Sequence, residues 1–381
     1  MHITHSPSAR GTDASHATAG VGDAATPTTV RKARRKRRSR RDRAGADQSE
    51  GKSGDHGGAR GDLYREVTER IIAELEAGRL PWVQPWGRVE GAAPGLPRNA
   101  ATERPYSGIN ILILWGAVIE RGYPSQGWLT FRQALQAGGA VRRGERGTSI
   151  VYADRFTPEA EKARARDTGE TAREVAFLKR FTVFNVAQID GLPERFAADP
   201  APLAECEIVP VAEQVIAASG IDVRIGGDQA FYVPSLDYVQ VPPQPAFFDQ
   251  INYYRTVLHE LTHATGHPSR LARTLTTAFG TKDYAREELI AEMGSAFLCA
   301  ALGIVPTVRH ADYLGQWLDL LREDLSEDAS VRASAAPRGR AIFRAASAAS
   351  KAADWLLACH RAAPTTSSPS PAAASSPTEA Q

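Results

Sequence analysis

The sequence predicts an α+β protein with two domains between disordered tails. Residues 1–60 and 362–381 contain almost no large apolar side chains, so they cannot bury enough surface to offset the entropy of ordering. Residues 62–195 combine amphipathic helix patterns with short strand patterns, which is typical of an α+β domain. Residues 203–360 contain two short strand patterns followed mostly by helix, so we expect a second, mostly helical domain with a small sheet.

Charge is distributed unevenly along the 381 residues. The formal net charge is +2, but residues 31–43 (RKARRKRRSRRDR) hold ten Lys or Arg and one Asp, a local charge of +9 that leaves −7 for the remainder. This basic segment could add nonspecific affinity for DNA, or it could be only a soluble extension.

The cysteines and the apolar segments exclude several classes of protein. Cys206, Cys299 and Cys359 lie far apart and form no C-x-x-C pair, which argues against a zinc ribbon or a disulfide framework and fits a reducing compartment. No run of about 18 apolar residues occurs, and the N-terminus lacks the apolar segment of a signal peptide. We therefore expect a cytoplasmic protein without a membrane partner.

The first domain is expected to begin with a helix at Asp62, a suitable N-cap, and that helix should end at Gly78. A turn and loop at 81–86 then lead to a second apolar helix over about 107–121. The remaining elements are a strand leading into a helix at 127–139, and strands at 148–153 and 177–189 on either side of a charged loop.

The second domain is expected to begin after a linker at 197–202. Its elements are a helix around 211–219, strands at 230–233 and 237–241, a helix through 254–265, and helices near 284–302, 312–325 and a last one ending near His360.

One of these helices contains the sequence LHELTHATGH (258–267). Two histidines four residues apart lie on one face of a helix about 6 Å apart, so His259 and His263 can bind one ion while Glu260 stays off it. The same pattern also arises by chance in an ordinary helix, so a metal site needs a third ligand from elsewhere. The apolar residues form a stripe on the opposite side, at Tyr254, Val257, Leu258, Leu261 and Thr265.

The next helix supplies carboxylates within an otherwise apolar sequence, REELIAEMGSAFLCAALG (286–303). Carboxylates on a buried helix cost several kcal/mol unless they are paired or bound to a metal. Glu288 follows His263 by 25 residues, a spacing that resembles gluzincin peptidases. The resemblance implies that Glu288 is the third ligand and that Glu292 supports a ligating histidine. The adjacent Glu287, or Glu292 itself, remains an alternative.

His267 offers another possible third ligand, because H-E-x-x-H-x-x-G-H begins like the metzincin pattern. That pattern requires a histidine at position 269, where this chain has Ser269. We therefore expect His267 to be a loop or rim residue.

A zinc ion at these residues would lower the pKa of a bound water to near 7, and Glu260 is placed to take its proton and pass it to a leaving amine. This chemistry is peptide hydrolysis. Tyr284 and His310 are candidates to stabilise the oxyanion. By resemblance to other zincins, we expect strand 238–241 to be an edge strand that pairs with an extended peptide.

Basic and aromatic residues are interspersed between positions 81 and 146. The mixture suits single-stranded DNA, because Arg or Lys contacts phosphates and a flat ring stacks on an unpaired base for about 1–3 kcal/mol. Alternatively, the rings belong to the core and the arginines to a solvated face. The candidate DNA-binding residues are Trp82, Trp86, Arg104, Tyr106, Trp128, Arg142, Arg143 and Arg146.

Three segments of this region resemble a known family. They are PWVQPW (81–86), RPYSGINILILWGAVIERGYPSQGWLTFRQALQAGGAVRRGERGTSIVYA (104–153) and FTVFNVAQIDGL (181–192). Together they closely resemble the N-terminal domain of ArdC-type antirestriction proteins and related plasmid primase domains. The second half resembles the zincin-like metallopeptidase domain that follows it in that family.

The resemblance implies a protein of plasmids or other mobile elements that binds single-stranded DNA, shields incoming DNA from restriction and carries a Zn²⁺ site. A host restriction endonuclease, or another protein, is then a possible substrate. An alternative is a binding protein whose H-E-x-x-H domain is only a metal-stabilised scaffold. A nuclease or deaminase is disfavoured, because the spacing is that of a peptidase and no H-x-E with P-C-x-x-C is present.

Overall fold

A computed structural model describes residues 58–83, 95–172, 175–196, 205–275, 280–304, 313–326, 328 and 338–363. Residues 1–57 and 364–381 of the predicted disordered tails, the basic segment 31–43, Trp86, His310 and the predicted linker 197–202 lie outside the described residues. The prediction of disorder is wrong at the inner edges of the tails, because residues 58–60 begin the first helix and Ala362 ends the last one.

The N-terminal half is built on a four-stranded sheet in the order β1-β2-β5-β4. Its first pair is parallel and the other two are antiparallel, with Trp128 opposite Asn185 and Thr148 opposite Val183. The strands are β1 (Arg98–Asn99), β2 (Gly127–Thr130), β4 (Thr148–Phe156) and β5 (Val175–Asn185). A separate antiparallel pair consists of β3 (Ala140–Val141) and β6 (Ile189–Asp190).

Among the described residues, four α-helices accompany these strands, and local signals explain where several of them begin and end. The Thr130 hydroxyl accepts from the Gln133 backbone while the Gln133 side chain accepts from the Thr130 backbone, which starts the third helix directly after β2. Gly122, with φ of 65°, ends the second helix in a left-handed conformation. The helices are α1 (Gly58–Glu76), α2 (Ile109–Arg121), α3 (Phe131–Gln136) and α4 (Glu159–Thr168).

Helix α4 corrects the expectation of a charged loop between the two long strands. None of its residues is buried, so it has no apolar periodicity that the sequence could reveal. Ion pairs three residues apart, Lys162 with Glu159 at 2.7 Å and Arg164 with Glu161 at 3.0 Å, accompany it instead.

The C-terminal half contains a three-stranded sheet in the order β7-β9-β8, parallel in the first pair and antiparallel in the second. Strand β9 is therefore central, and the prediction of an edge strand at 238–241 is wrong. The error arises because the polar, exposed β7 gives little signal of a third strand. The strands are β7 (Asp222–Ile225), β8 (Phe231–Val233) and β9 (Tyr238–Val241).

Most of the other described residues of the C-terminal half are helical, as the sequence predicts. The longest of these helices, Ala341–Ala362, packs against several of the others and follows a gap in the described residues. They are α5 (Glu205–Ala218), α6 (Gln250–Ala264), α7 (Lys282–Ala301), α8 (Leu314–Leu325) and α9 (Ala341–Ala362).

The main hydrophobic core runs through both halves of the described chain. The rings of Trp82 and Trp317 meet edge to face with centroids 5.5 Å apart, and those of Trp115 and Phe297 at 5.7 Å. Helix α9 joins the halves by hydrogen bonds as well as by packing, since the Gly108 amide donates to the Ser350 hydroxyl at 2.7 Å. In the described ranges, no helix has both the length and the apolar character to cross a bilayer.

Candidate metal centre

Helix α6 carries both histidines of the H-E-x-x-H sequence, and the side of the helix that holds them is buried. His259 and His263 lie one turn apart with ring centroids 4.9 Å apart. The apolar stripe faces the core as predicted, and α7 packs against α6. Gly294 of α7 permits the close approach, because a Cβ there would lie only 2.5 Å from Thr262 Cγ2.

Helix α7 brings Glu288 to the two imidazoles. Glu288 Oε2 lies 3.6 Å from His259 Nε2, and Glu288 Oε1 lies 3.5 Å from His263 Nε2. Potential ligand atoms of the three residues all lie within 4.8 Å of one another. Glu288 is almost completely buried, and its Oε2 accepts no hydrogen bond from the described residues. Two imidazoles and one carboxylate with an unsatisfied oxygen fit a divalent cation better than an apolar filling.

The other nitrogen of each imidazole faces a different carboxylate. His263 Nδ1 lies 3.4 Å from Glu287 Oε1, and His259 Nδ1 lies 3.7 Å from Glu292 Oε1. Both rings thus direct Nε2 toward Glu288 and Nδ1 toward a supporting carboxylate, which is the arrangement that orients histidines at metal sites. This geometry favours Glu288 over Glu287 and Glu292 as the third ligand.

Glu287 is in turn held by Arg273, from the segment that follows α6. Arg273 Nη2 donates to Glu287 Oε1 at 2.7 Å, and Arg273 Nε donates to Oε2 at 3.1 Å. The same guanidinium donates to Thr265 Oγ1 at 2.8 Å and to the Thr262 carbonyl at 2.7 Å. The sequence analysis missed this arginine, because nothing in its spacing distinguishes it from other surface arginines.

The charges of these groups are strongly coupled. Burial lowers the pKa of His263, but the carboxylates of Glu288 and Glu287 outweigh that effect and raise it to about 10. Burial raises the pKa of Glu288, whereas the His263 and His259 rings hold it well below its usual range. Without a metal, the site therefore holds a proton on His263 beside charged carboxylates.

Tyr284 lies on the Glu288 side of the centre. Its hydroxyl is 3.1 Å from that of Tyr313, and burial followed by the nearby Glu288 carboxylate raises the pKa of Tyr284. The hydroxyl is thus neutral and lies near Glu288. His267 is placed elsewhere, with Nδ1 2.8 Å from Ser269 Oγ and 3.7 Å from Asp237 Oδ2, and it does not belong to the three-residue group.

The two described tryptophans among the DNA-binding candidates are core residues, so their assignment as stacking rings is wrong. Neither side chain is exposed at all. Trp82 packs against Trp317, and Trp128 packs against Tyr123 with centroids 5.8 Å apart. A ring with no exposed face cannot accept an unpaired base.

The other candidates differ in how much of each side chain is available. Arg104, Arg143 and Arg146 are exposed and Tyr106 is half-buried. Arg142 is exposed but engaged, because it pairs with Glu145 at 2.9 Å and with Asp190 at 3.2 Å. In the N-terminal half, exposed rings that the sequence analysis did not single out include Phe131, Tyr152 and Phe181.

Family models match both halves of the chain. One, the N-terminal domain of anti-restriction factor ArdC, matches residues 61–184, and another, a zincin-like metallopeptidase, matches residues 210–336. The crystal structure of metal-free antirestriction protein ArdC from plasmid R388 is 39% identical, with a TM-score of 0.63, and the match covers 79% of this chain and 98% of that one. The chain belongs to the ArdC antirestriction family. The predicted family and the two-domain α+β fold are thereby confirmed.

Other relatives extend the comparison. The Mn(II)-bound structure of R388 ArdC is 38% identical with a TM-score of 0.62, covering 78% of this chain and 98% of that one. The Sinorhizobium fredii protein y4eC is 41% identical over 303 residues, covering 78% of this chain and 92% of that protein. A DNA primase TraC of Escherichia coli is 40% identical over 316 residues, covering 78% of this chain but only 27% of the primase.

The fold, the three converging residues and the Mn(II)-bound relative together point to a divalent metal in this ArdC-family chain. One of these relatives, R388 ArdC, is a plasmid protein.

Proposed function

We propose that this chain is an antirestriction-type protein of a mobile element that joins single-stranded DNA binding to a zinc-dependent, peptidase-like centre. The convergence of His259, His263 and Glu288 is the observation that carries the catalytic half. Zinc is the metal of choice because two imidazoles and one carboxylate, with the fourth position left for water, form a typical catalytic zinc set.

A bound zinc ion would supply a water of lowered pKa and polarise the scissile carbonyl. Glu260 follows His259 on the buried α6, and about 100° of helical rotation separates their side chains. This offset suits Glu260 to act as the general base that takes the proton of the attacking water and returns it to the leaving amine. Tyr284, kept neutral by its raised pKa, is the described side chain best suited to donate a hydrogen bond near the reacting carbonyl.

The strand that would receive an extended peptide is β8. It is an outer strand of the small sheet, pairing with β9 on one side, and it packs against α6. A peptide added to this edge would run beside the helix that carries the histidines. The substrate class is therefore an extended segment of a protein, with a host restriction endonuclease as one candidate.

The N-terminal half supports the DNA-binding function. Its family match, and its similarity to part of DNA primases, associate it with nucleic acid handling. Exposed arginines supply the positive charge that phosphate contacts require. We expect single strands to bind more tightly than duplexes, with log affinity falling linearly as log salt rises.

A second candidate function is that of a DNA-binding protein whose metal centre is only a scaffold. The burial of the centre favours this alternative, because His259 and Glu288 are only 2% and 1% exposed. A structural metal needs no access for substrate, whereas a catalytic metal does.

The variant Glu260→Gln separates the two functions. It should retain about one zinc per chain, while a hydrolase would lose all turnover of a protein substrate. If the variant still protects DNA from restriction as well as the parent does, protection does not depend on hydrolysis and the scaffold function is favoured. A native protein without bound metal would contradict both forms of the metal proposal.

A further inference from the structure

Helix α3 carries two large apolar side chains that remain largely exposed instead of packing into the core. Phe131 and Leu135 lie four residues apart, on one face, and each is 54% exposed. Ala134, on the opposite side of the helix, is buried in the smaller apolar cluster. The helix is therefore anchored through one side and presents an apolar surface on the other.

The exposed ring is held in a defined position. The reciprocal hydrogen bonds between Thr130 and Gln133 fix the start of α3, and the Asn99 amide donates to the Gln133 side chain at 3.1 Å. The Phe131 ring meets the ring of Phe184 on β5 edge to face, with centroids 6.3 Å apart. A ring ordered in this way loses little entropy when a flat ligand stacks on it.

Exposed arginines are carried by the two segments that meet at this aromatic pair. Arg132 follows Phe131 directly, and Arg143 and Arg146 belong to the loop before β4. Gly147 brings that loop against the aromatic pair, since a Cβ there would lie 3.1 Å from Phe184 Cζ.

No described residue forms an ion pair with the guanidinium groups of Arg132, Arg143 or Arg146, in contrast to Arg142 and its two acidic partners. Three cations without a described partner, on the segments around an exposed ring, complement an anion that also carries a flat apolar group. A nucleic acid strand with unstacked bases has this combination.

Two other exposed aromatic sites lack such cations. Tyr152 and Phe181 meet on the β4–β5 pair with centroids 6.2 Å apart, but Arg180 beside them is paired with Glu66 at 2.6 Å and Lys179 is also engaged. Phe248 is 97% exposed, yet the next residue is Asp249. The surface formed by α3 and the 143–146 loop is therefore the best suited to a polyanion.

We propose that single-stranded DNA docks on this α3 surface, with a base stacked on Phe131 and phosphates at Arg132, Arg143 and Arg146. The assignment rests on the single-strand binding proposed above and adds the location of the site. It replaces the buried Trp82 and Trp128 with a ring that a base can reach.

Fluorescence anisotropy with a labelled oligothymidine tests the assignment on the full chain. Phe131→Ala should weaken binding roughly 5- to 150-fold, as expected for the loss of one base–aromatic stack. Arg143→Ala together with Arg146→Ala should reduce the slope of log affinity against log salt by about 1.4, because each phosphate contact to a single strand contributes about 0.7. Phe248→Ala is the matched control, and its affinity should equal that of the parent.

The outcomes separate an error in the proposed docking surface from a failure of the DNA-binding function itself. If the parent binds no single strand, the DNA-binding function itself fails. If the parent binds and Phe131→Ala behaves like Phe248→Ala, only the α3 surface is wrong, and a loss confined to Phe181→Ala would place the strand on β4 and β5 instead. Melting temperatures equal to the parent's are required for each variant, and Phe131→Leu offers a fold-conserving replacement that still removes the aromatic stack.

Discussion

Arg273 donates two hydrogen bonds to Glu287, and that carboxylate lies 3.4 Å from His263 Nδ1. The guanidinium thereby fixes the group that orients one imidazole of the proposed metal centre. Because Arg273 also holds Thr265 and the Thr262 carbonyl, it ties the end of α6 to α7.

Arg273→Ala should lower zinc affinity about 10- to 100-fold, the usual loss when the support of a ligand is removed. Titration of the metal-free protein with zinc measures the loss. Arg270→Ala is the matched control, because Arg270 donates to the Ala264 carbonyl at 2.7 Å and pairs with Asp237 in the same region without contacting Glu287. Equal losses in the two variants would mean that a disturbed loop, not Glu287, determines affinity.

Glu288→Gln should weaken zinc binding more than Glu292→Gln does. The first change removes an anionic ligand, whereas the second removes only the carboxylate that faces His259 Nδ1 at 3.7 Å. Competition with a chelator of known affinity would rank the two variants. The reverse order would make Glu292 the third ligand.

Zinc binding should release about one proton per chain at neutral pH. The pKa of His263 is raised to about 10 in the metal-free protein, so this ring is protonated at pH 7 and must lose its proton to bind a metal. Apparent affinity should therefore increase up to tenfold per pH unit until the pH approaches 10. Calorimetry in buffers of different ionisation enthalpy measures the released proton, and an enthalpy independent of the buffer would contradict the expectation.

The raised pKa of His263 also affects the stability of the metal-free protein, which should fall with rising pH while the zinc affinity increases. Because the folded-state value exceeds the unfolded value of about 6.5, the stability that His263 contributes is fully present below pH 6.5 and is lost as the pH rises toward 10. Denaturant midpoints of the metal-free chain should accordingly fall over this interval, and His263→Gln should remove that part of the decline.

Gly294→Ala should destabilise the chain although alanine normally favours a helix over glycine by about 1 kcal/mol. The new Cβ would lie 2.5 Å from Thr262 Cγ2, and overpacking of this kind typically costs about 1–3 kcal/mol. Gly116→Ala is the control, because a Cβ there meets nothing closer than 3.6 Å, and it should not destabilise the protein.

A second substitution locates the cause of that loss. Thr262→Ser deletes Cγ2 but keeps the hydroxyl that donates to the Leu258 carbonyl at 2.8 Å. In the Gly294→Ala background it should recover part of the denaturant midpoint. A double-mutant cycle without coupling would show that the clash lies elsewhere.

The convergence of His259, His263 and Glu288 was predictable because its signals are local. His259 and His263 share one helix, and Glu288 stands out as a charge on an apolar helix. Arg273 was not predictable, since its role depends on how the chain returns after α6. Trp82 and Trp128 were misjudged for a related reason: a tryptophan suits a core as well as a stacking surface, and only long-range packing decides which it joins.

The strands show the same dependence on distant contacts. Asp222–Ile225 becomes a strand because β9 pairs with it in parallel, and its own residues are mostly exposed. Phe131 was overlooked because its exposure follows from which side of α3 faces the sheet.

Helix α9 begins at Ala341, beyond both segments that the family models cover, yet it packs against α2 in one half and α5 and α7 in the other. A recombinant fragment that stopped at residue 336 would leave apolar sides of these helices facing water, and we expect it to aggregate. The family segments thus mark stretches of related sequence, whereas we expect the smallest fragment that folds on its own to extend through residue 362 and to include both halves.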